Sequence, residues 1–273
     1  MQDPEYVMCP TTSCETRVLL HYIYLGIFLW YNIGTFEGVK DMNLCRLESL
    51  IGSENLEKVR KLKVLIIGLG GVGGYALESL VRCGVEDITI VDGDTIKPSN
   101  INRQIIATSR NNNKYKTREW KKRIKLINKN ACVNIINTYI TPDNIELLFG
   151  EKYDYMIDAC DTTRVKVELV RRCHENGIKL VSSMGTAKKL DATKLIITTL
   201  DKTQNDPMAR SLRNQARKCG VSLKIPVVFS SEKPIETSSS NKDNLGSMIF
   251  VPAYGGLLCG YYVISQIIDS SDI

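Results

Sequence analysis

The stretch Gly68-Leu69-Gly70-Gly71-Val72-Gly73 follows directly on the apolar run Lys63–Ile67 and leads into a helical segment at about residues 71–83. Glycines let a backbone turn sharply and come close to a phosphate, whose charge is held by the free amides of a helix N-terminus. Nineteen residues past Gly73, at the end of the next apolar run, stands Asp92. That is the spacing at which a carboxylate accepts hydrogen bonds from a ribose hydroxyl. Strand, glycine turn, helix, strand and acid in this order make a candidate nucleotide site. A glycine-rich turn serving close packing alone is the competing reading, and an NAD-dependent dehydrogenase fits these residues equally well.

The following loop turns the chemistry elsewhere. It reads Asp92-Gly93-Asp94, then Ser99-Asn100-Ile101-Asn102-Arg103-Gln104, then Lys116 and, after another strand, Asp158-Ala159-Cys160-Asp161. Two cations, amide side chains and a carboxylate pair beside a nucleotide turn are what transfer at the α-phosphate of ATP needs. The cations neutralise charge growing on phosphoryl oxygens, and a carboxylate holds Mg²⁺ against the triphosphate. Taken singly, Arg103 or Lys116 is an ordinary solvated cation and Asp161 an ordinary helix cap; the constellation carries the reading.

Those side chains need a frame. Strands are expected at Lys63–Ile67, Asp87–Val91, Val133–Tyr139, Tyr153–Ile157 and Ile178–Ser182, with helices at about 71–83, 114–129, 142–149 and 161–176. Such alternation predicts βαβ units, hence an α/β, Rossmann-like, mostly parallel sheet with helices on both faces. Farther on, a strand at Lys194–Leu200, a basic helix near 206–218, a strand at Ile225–Phe229, a Ser-rich loop at 230–244 and a strand at Met248–Val251 are expected. The apolar, small-residue-rich segment Ala253–Ile268 follows. With no linker before it, this tail reads as a C-terminal extension of the same domain.

GLGGVG, VDGD, SNINRQ, a lone lysine and DACD resemble the motif series of the ubiquitin-activating-enzyme-like (ThiF/MoeB) adenylyltransferase superfamily. The spacings agree, with eleven residues from Asp92 to Arg103 and thirteen more to Lys116. Within it, three stretches are similar to the tRNA threonylcarbamoyladenosine dehydratases. They are Arg46-Leu-Glu-Ser-Leu-Ile-Gly52, the segment from Leu190-Asp-Ala-Thr193 through Lys202-Thr203 to Asp206-Pro-Met-Ala-Arg210, and Val227-Val-Phe-Ser-Ser-Glu-Lys-Pro234. The resemblance runs from about Met42 to Ile268.

The resemblance implies roles by position. Gly70, Gly71 and Gly73 shape the phosphate turn, Asp92 holds the ribose, and Ser99 belongs to the nucleotide-binding set. Asn100 and Arg103 contact the phosphates, Lys116 balances their charge, and Asp161 binds Mg²⁺. Arg46 resembles a residue that these homodimers send into the neighbouring subunit's site. The implied reaction is ATP-dependent cyclisation of threonylcarbamoyladenosine beside the tRNA anticodon through a carboxyl-adenylate, with a tRNA carrying that base as substrate. A cysteine-desulfurase-type partner is a weaker implication. The chain departs from the pattern in having Ala187-Lys188-Lys189 where bacterial relatives commonly have Gly-Asn. It has Val227 where some carry cysteine, which counts against a sulfur relay there, and no C-x-x-C pair, against the zinc of sulfur-carrier activators. Cys160, beside Asp161, reads as a small buried thiol.

The composition sets outer limits. With 273 residues, 43% hydrophobic and 24% charged, the chain can bury a core without staples, which excludes wholesale disorder and fibrous architectures. Nine irregularly spaced cysteines, an odd number, point to reduced thiols in a cytoplasmic compartment. Residues 1–41 hold two basic against five acidic side chains, and the other 232 residues 34 against 25, so a polyanionic partner suits the main part. Lys121, Lys125 and Lys129 recur beside an inward stripe of Trp120, Ile124 and Ile127 within a stretch of nine basic residues and one acid, Glu119. Arg210, Arg213 and Arg217 share a second helical face. Both suit phosphate contacts, a solvated basic helix being the plainer alternative, and neither is rich in aromatics for stacking bases.

The apolar segment 18–33 is too short as a helix to span a bilayer unaided. It reads as a membrane anchor, an amphipathic appendage or, the reading favoured, the product of a start assigned too far upstream. The domain is accordingly placed at 42–273, after an extension at 1–41. Three rival functions stay open: a sulfur-carrier-protein adenylyltransferase, an NAD-dependent oxidoreductase and a non-catalytic binding module.

Overall fold

The computed structural model describes residues 42–236 and 245–268; the apolar segment 18–33 and the centre of the Ser-rich loop lie outside them. Two short helices, α1 (Cys45–Ile51) and α2 (Ser53–Arg60), precede β1 (Lys63–Ile67), α3 (Gly73–Arg82) and β2 (Asp87–Val91). Then come α4 (Lys116–Ile127), β3 (Cys132–Ile136), β4 (Tyr155–Asp158), α5 (Thr163–Glu175) and β5 (Lys179–Ser183). The last part holds β6 (Leu195–Thr199), α6 (Pro207–Lys218), β7 (Pro226–Ser230) and α7 (Phe250–Ile268). The expected helix at 142–149 is only a 3₁₀ turn, Ile145–Leu148.

The strands form one sheet in the order β3-β2-β1-β4-β5-β7-β6, parallel except for β6, which runs antiparallel on β7. The tail therefore extends the same sheet. Strand β1 is paired with β2 on one side and β4 on the other. Chain order reverses between β1 and β4, and ligands of such sheets bind at the carboxyl ends of the strands there.

The central strands read as unbroken apolar runs because both faces are covered. Val64 and Ile66 point into one core layer with Leu77, Leu80, Trp120, Ile124 and Val263. Leu65 and Ile67 point into the other with Met156, Val165, Leu169 and Leu212. This is strand alternation with apolar residues at every position.

The strand expected at Met248–Val251 does not form; Phe250 and Val251 open α7 instead. Its β-branched and aromatic residues favour a strand locally, but Pro252 is compatible with a helix only in its first turn, which is where it falls. Packing decides the matter. Gly256 and Gly260 let α7 lie directly on α3: a Cβ at Gly256 would come 2.2 Å from the Val72 carbonyl oxygen, and one at Gly260 2.0 Å from Ser79 Oγ. Helix α7 is also the only one among the described residues long and apolar enough to cross a membrane, yet half of it is buried as a core helix.

Candidate active site

The glycine turn joins β1 to α3, and its glycines serve different ends. Gly68 has a φ of +84° and donates its N–H to the Val91 carbonyl; a Cβ there would meet the Ala159 carbonyl oxygen at 2.7 Å. A Cβ on Gly73 would sit 1.8 Å from the Gly68 carbonyl oxygen. These two close the turn. Gly71 is packed by Pro252 of α7, 3.1 Å from its Cβ position, whereas Gly70 meets nothing nearer than the Gln104 amide at 3.8 Å. The turn is thus open to a ligand at Gly70. Gln104 is buried, and its Oε1 has no hydrogen-bond partner, an orphan acceptor beside that opening. Gln104 closes the Ser99–Gln104 motif in the sequence, but only the fold shows its isolation.

Asp92, at the end of β2, accepts the Leu69 N–H on Oδ2 and the Asp94 N–H on Oδ1, both at 2.7 Å. It therefore ties the glycine turn to the neighbouring strand, and each oxygen keeps a lone pair for a ribose hydroxyl. Lys116 is buried at the first turn of α4, its ammonium 2.7 Å from Asp94 Oδ2 and 3.5 Å from Asp92 Oδ2. Tyr139 donates its hydroxyl to Asp94 Oδ1. Burial pushes the Asp94 carboxyl up, but the hydrogen bonds from Lys116 and Tyr139 outweigh it and hold the group below the usual carboxylate range. The same bond to Asp94 pushes the Tyr139 phenol up to about 12. Gly93 is required here, since a Cβ would strike the Tyr139 ring at 2.7 Å.

The loop after β2 forms a compact turn. Asn100 is buried and accepts the Lys97 N–H on Oδ1 at 3.0 Å, while its carbonyl takes the N–H groups of Arg103 and Gln104. The Ser99 carbonyl accepts from Arg103 Nη1 at 2.7 Å, so Ser99 enters through its backbone. Arg103 also reaches Asn102 Oδ1 at 3.0 Å, and its Cγ lies 3.6 Å from the Cβ position of Gly71. Its guanidinium stands beside the glycine turn, with Nη2 making no hydrogen bond to the described residues.

The two acids after β4 part company. Asp158 is fully buried, paired with Lys166 Nζ at 3.0 Å and accepting the Ser182 hydroxyl at 2.6 Å and the Cys160 N–H at 3.1 Å. Asp161 is exposed and, among the described residues, accepts only the Thr162 hydroxyl, at 3.3 Å. Thr162, not Asp161, occupies the N-cap of α5, and it has no side-chain cap bond. The Ala159 contacts with Gly68 and Gly73 set this segment against the glycine turn. Cys160 donates its thiol to Asp158 Oδ1 at 2.9 Å, and burial together with that carboxylate pushes the thiol far above its ordinary value. It is held as a neutral thiol, not a nucleophile.

The fold gathers Gly70, Gly71, Gly73, Asp92, Ser99, Asn100, Arg103, Lys116 and Asp161 at one sheet end, and leaves Arg46 out. Arg46 is exposed on α1, whose neighbour Leu44 packs on Gly84, beyond the far end of α3. A ten-residue helix is about 15 Å long, so Arg46 stands away from its own glycine turn.

Of the two basic faces, α4 presents Lys121 and Lys125 outward over buried Trp120 and Ile124, while Lys129, also exposed, lies beyond its end because the helix stops at Ile127 rather than 129. On α6 the shared face is broken. Arg213 turns inward to the carbonyl of Thr203, at 3.0 Å, and to its hydroxyl, so only Arg210 and Arg217 remain exposed there. The unusual Lys189 is buried too, pairing at 2.9 Å with Asp206, the acid that caps α6. Val227 is fully buried in β7.

A doubly wound sheet with a glycine turn at its switch point and an acid at the end of β2 defines the class of nucleotide-binding α/β proteins. The chain belongs to the ThiF family, whose model matches residues 44–234. It is 35% identical to the tRNA threonylcarbamoyladenosine dehydratase of Bacillus subtilis over 84% of this chain and 95% of that one. It superposes on the E. coli tRNA N6-threonylcarbamoyladenosine dehydratase, TcdA, in complex with ATP, with a TM-score of 0.76 and 30% identity, covering 81% of this chain and 92% of that one. The Haemophilus influenzae molybdopterin-synthase adenylyltransferase is more distant, 28% identical over 59% of this chain and 64% of that one.

Proposed function

We propose that this chain is an ATP-dependent tRNA threonylcarbamoyladenosine dehydratase. The observation that carries the reading is the pairing of an open phosphate turn with a locked neighbouring thiol. Gly70 and Arg103 present amides and charge to a phosphate, while Cys160 is tied to Asp158. A site that activates an acid without offering its own thiol needs a nucleophile already in the substrate. The length and identity shared with the Bacillus subtilis dehydratase, against the shorter match to the molybdopterin-synthase enzyme, favour this over a sulfur-carrier activator.

The threonyl carboxylate attacks the α-phosphorus of ATP, pyrophosphate leaves, and an acyl-adenylate forms. The ureido group of the same modified base then attacks the activated carbonyl, the bond to AMP breaks and a proton is lost, which closes the ring at the cost of one water. Arg103 and the amides of the glycine turn stabilise charge on the phosphoryl oxygens, and Asp92 orients the ribose. Asn100 and Ser99 hold Arg103 in place, and Lys116, paired with Asp94 and close to Asp92, balances charge on the phosphates. Mg²⁺ takes few protein carboxylates and completes its shell with phosphate oxygens and water. Exposed, nearly unpartnered Asp161 fits as its single protein ligand, and the ion would supply charge neutralisation on the triphosphate.

The enzyme acts as a homodimer in which Arg46 serves the neighbouring site. Its distance from its own glycine turn supports this, as does the exposed stripe of Phe250, Tyr254, Leu257 and Tyr261 along α7, which a second copy would cover. Mixed dimers of Arg46→Ala and Asp161→Ala subunits should recover activity that neither variant has; none in verified heterodimers contradicts a shared site. The cysteine pattern supports a cytoplasmic location, with which a tRNA substrate is compatible. The decisive experiment is nucleoside analysis of tRNA incubated with the protein, ATP and Mg²⁺. A modified adenosine lighter by one water is expected, and unchanged threonylcarbamoyladenosine contradicts the reading.

A further inference from the structure

Beside the Asp94–Lys116 pair lies an open cavity of about 510 Å³ lined by Asn113, Lys114, Tyr115, Arg118, Glu119 and Lys122. Tyr115 keeps 39% of its surface exposed, and the Arg118 guanidinium stands over its ring at 5.3 Å from the centroid. Glu119, the one acid of the lining, is neutralised by Lys122 at 2.7 Å.

The basic stretch is also less uniform than its sequence. Lys116 is spent on Asp94, Arg123 on Glu78 at 2.8 Å, and Lys125 on the Lys129 carbonyl at 3.0 Å. Arg110, Lys114, Arg118 and Lys121 are exposed and make no ion pair with the described residues. Of these, Lys114 and Arg118 line the cavity beside the exposed ring of Tyr115.

The cavity is fastened to the site. Tyr115 forms a backbone bridge with Thr95, Ile96 donates to the Lys114 carbonyl at 2.9 Å, and Lys116 donates to the Asp94 carbonyl at 3.1 Å. A group bound on Tyr115 is thereby held rigidly relative to Asp92, Asp94 and Lys116.

We infer that Tyr115 and Arg118 form a platform on which an unpaired base of the RNA substrate stacks, with Arg110, Lys114 and Lys121 on the flanking phosphates. Single-stranded loops are recognised by stacking their splayed bases on aromatic rings and guanidinium planes, with cations tracking the backbone. The platform recognises an RNA loop rather than a helix, and it fixes the loop without reading its sequence. The inference rests on the proposed tRNA substrate and names the surface that docks it.

The test is RNA binding by the full chain, followed by fluorescence anisotropy with a labelled anticodon stem-loop. ATP affinity and the KM for tRNA are measured on the same preparations. Base stacking removed by alanine costs roughly five- to a hundredfold in affinity. Tyr115→Ala should accordingly weaken RNA binding at least about fivefold and raise the KM for tRNA, with ATP affinity unchanged, and Tyr115→Phe should restore both. Arg118→Glu, a change at an exposed side chain, carries the test if Tyr115→Ala does not fold. It should weaken binding about tenfold, whereas Lys114→Glu should flatten the salt dependence by about 0.7 for its lost phosphate contact. RNA affinity within twofold of wild type in these variants overturns the platform, and so does a parallel loss of ATP affinity. If the wild type binds no RNA, the platform falls together with the proposed function. If the wild type converts the tRNA and the variants match it, the platform alone falls.

Discussion

Two strands, β2 and β4, end in pairs of acids at the same edge of the sheet, and the pairs are used in opposite ways. Both members of the β2 pair are engaged. Asp92 holds two backbone amides and Asp94 holds Lys116 and Tyr139. The β4 pair is divided: Asp158 is sealed in with Lys166 and Ser182, while Asp161 is left in solvent. One pair pins the glycine turn, and the other separates a sealed acid from an exposed one over three residues. Position at a strand end does not assign a role; the partners brought by other elements do.

The largest effect should come from breaking the sealed member of the β4 pair. Replacing Lys166 by Met leaves Asp158 charged and unpaired in the core, and such losses cost about 3–5 kcal/mol. Thermal denaturation should show a drop of many degrees in Tm; a shift of a degree or two would mean that the pair is not the anchor described. Asp161→Ala should do the reverse, leaving Tm unchanged and lowering AMP formation by about a hundredfold or more, the scale of lost charge stabilisation at a phosphoryl centre. Activity near wild type would remove Asp161 from the reaction.

The smallest effect concerns Tyr139. Its phenol should stay protonated to about pH 12 in an ultraviolet titration, and Asp94→Asn should bring it back toward the ordinary value of about 10. Because Asp94 is held below its unfolded value, its contribution to stability is present above about pH 4. It fades as the pH falls through the lower folded value. A Tyr139 that titrates normally in the native protein would mean that the bond to Asp94 does not persist in solution.

Much of this was legible in the sequence where neighbours along the chain decide the structure. Strands β1 and β2 fall at their expected bounds because unbroken apolar runs end at glycine and acid. The glycine turn and Asp92 were legible because their spacing is imposed by one βαβ unit. The divided roles of Asp158 and Asp161 were not, since Ser182 and Lys166 come from β5 and α5. Arg213 looked like a surface cation because its acceptors lie at Thr203, before the start of α6. The opening of α7 resembled a strand because its packing on α3 is written in Gly256 and Gly260, several residues later. The motif includes Gln104, but its unmet acceptor was not legible, being a property of the folded turn.

The central claim is that the site joins a substrate carboxylate to AMP. It is tested most directly by labelling the threonyl carboxylate of the tRNA with heavy oxygen and recovering the nucleotide after one turnover. Attack on the α-phosphorus followed by ring closure leaves one labelled oxygen in AMP, released together with pyrophosphate. Products of ADP and phosphate, or AMP free of label, would contradict the account.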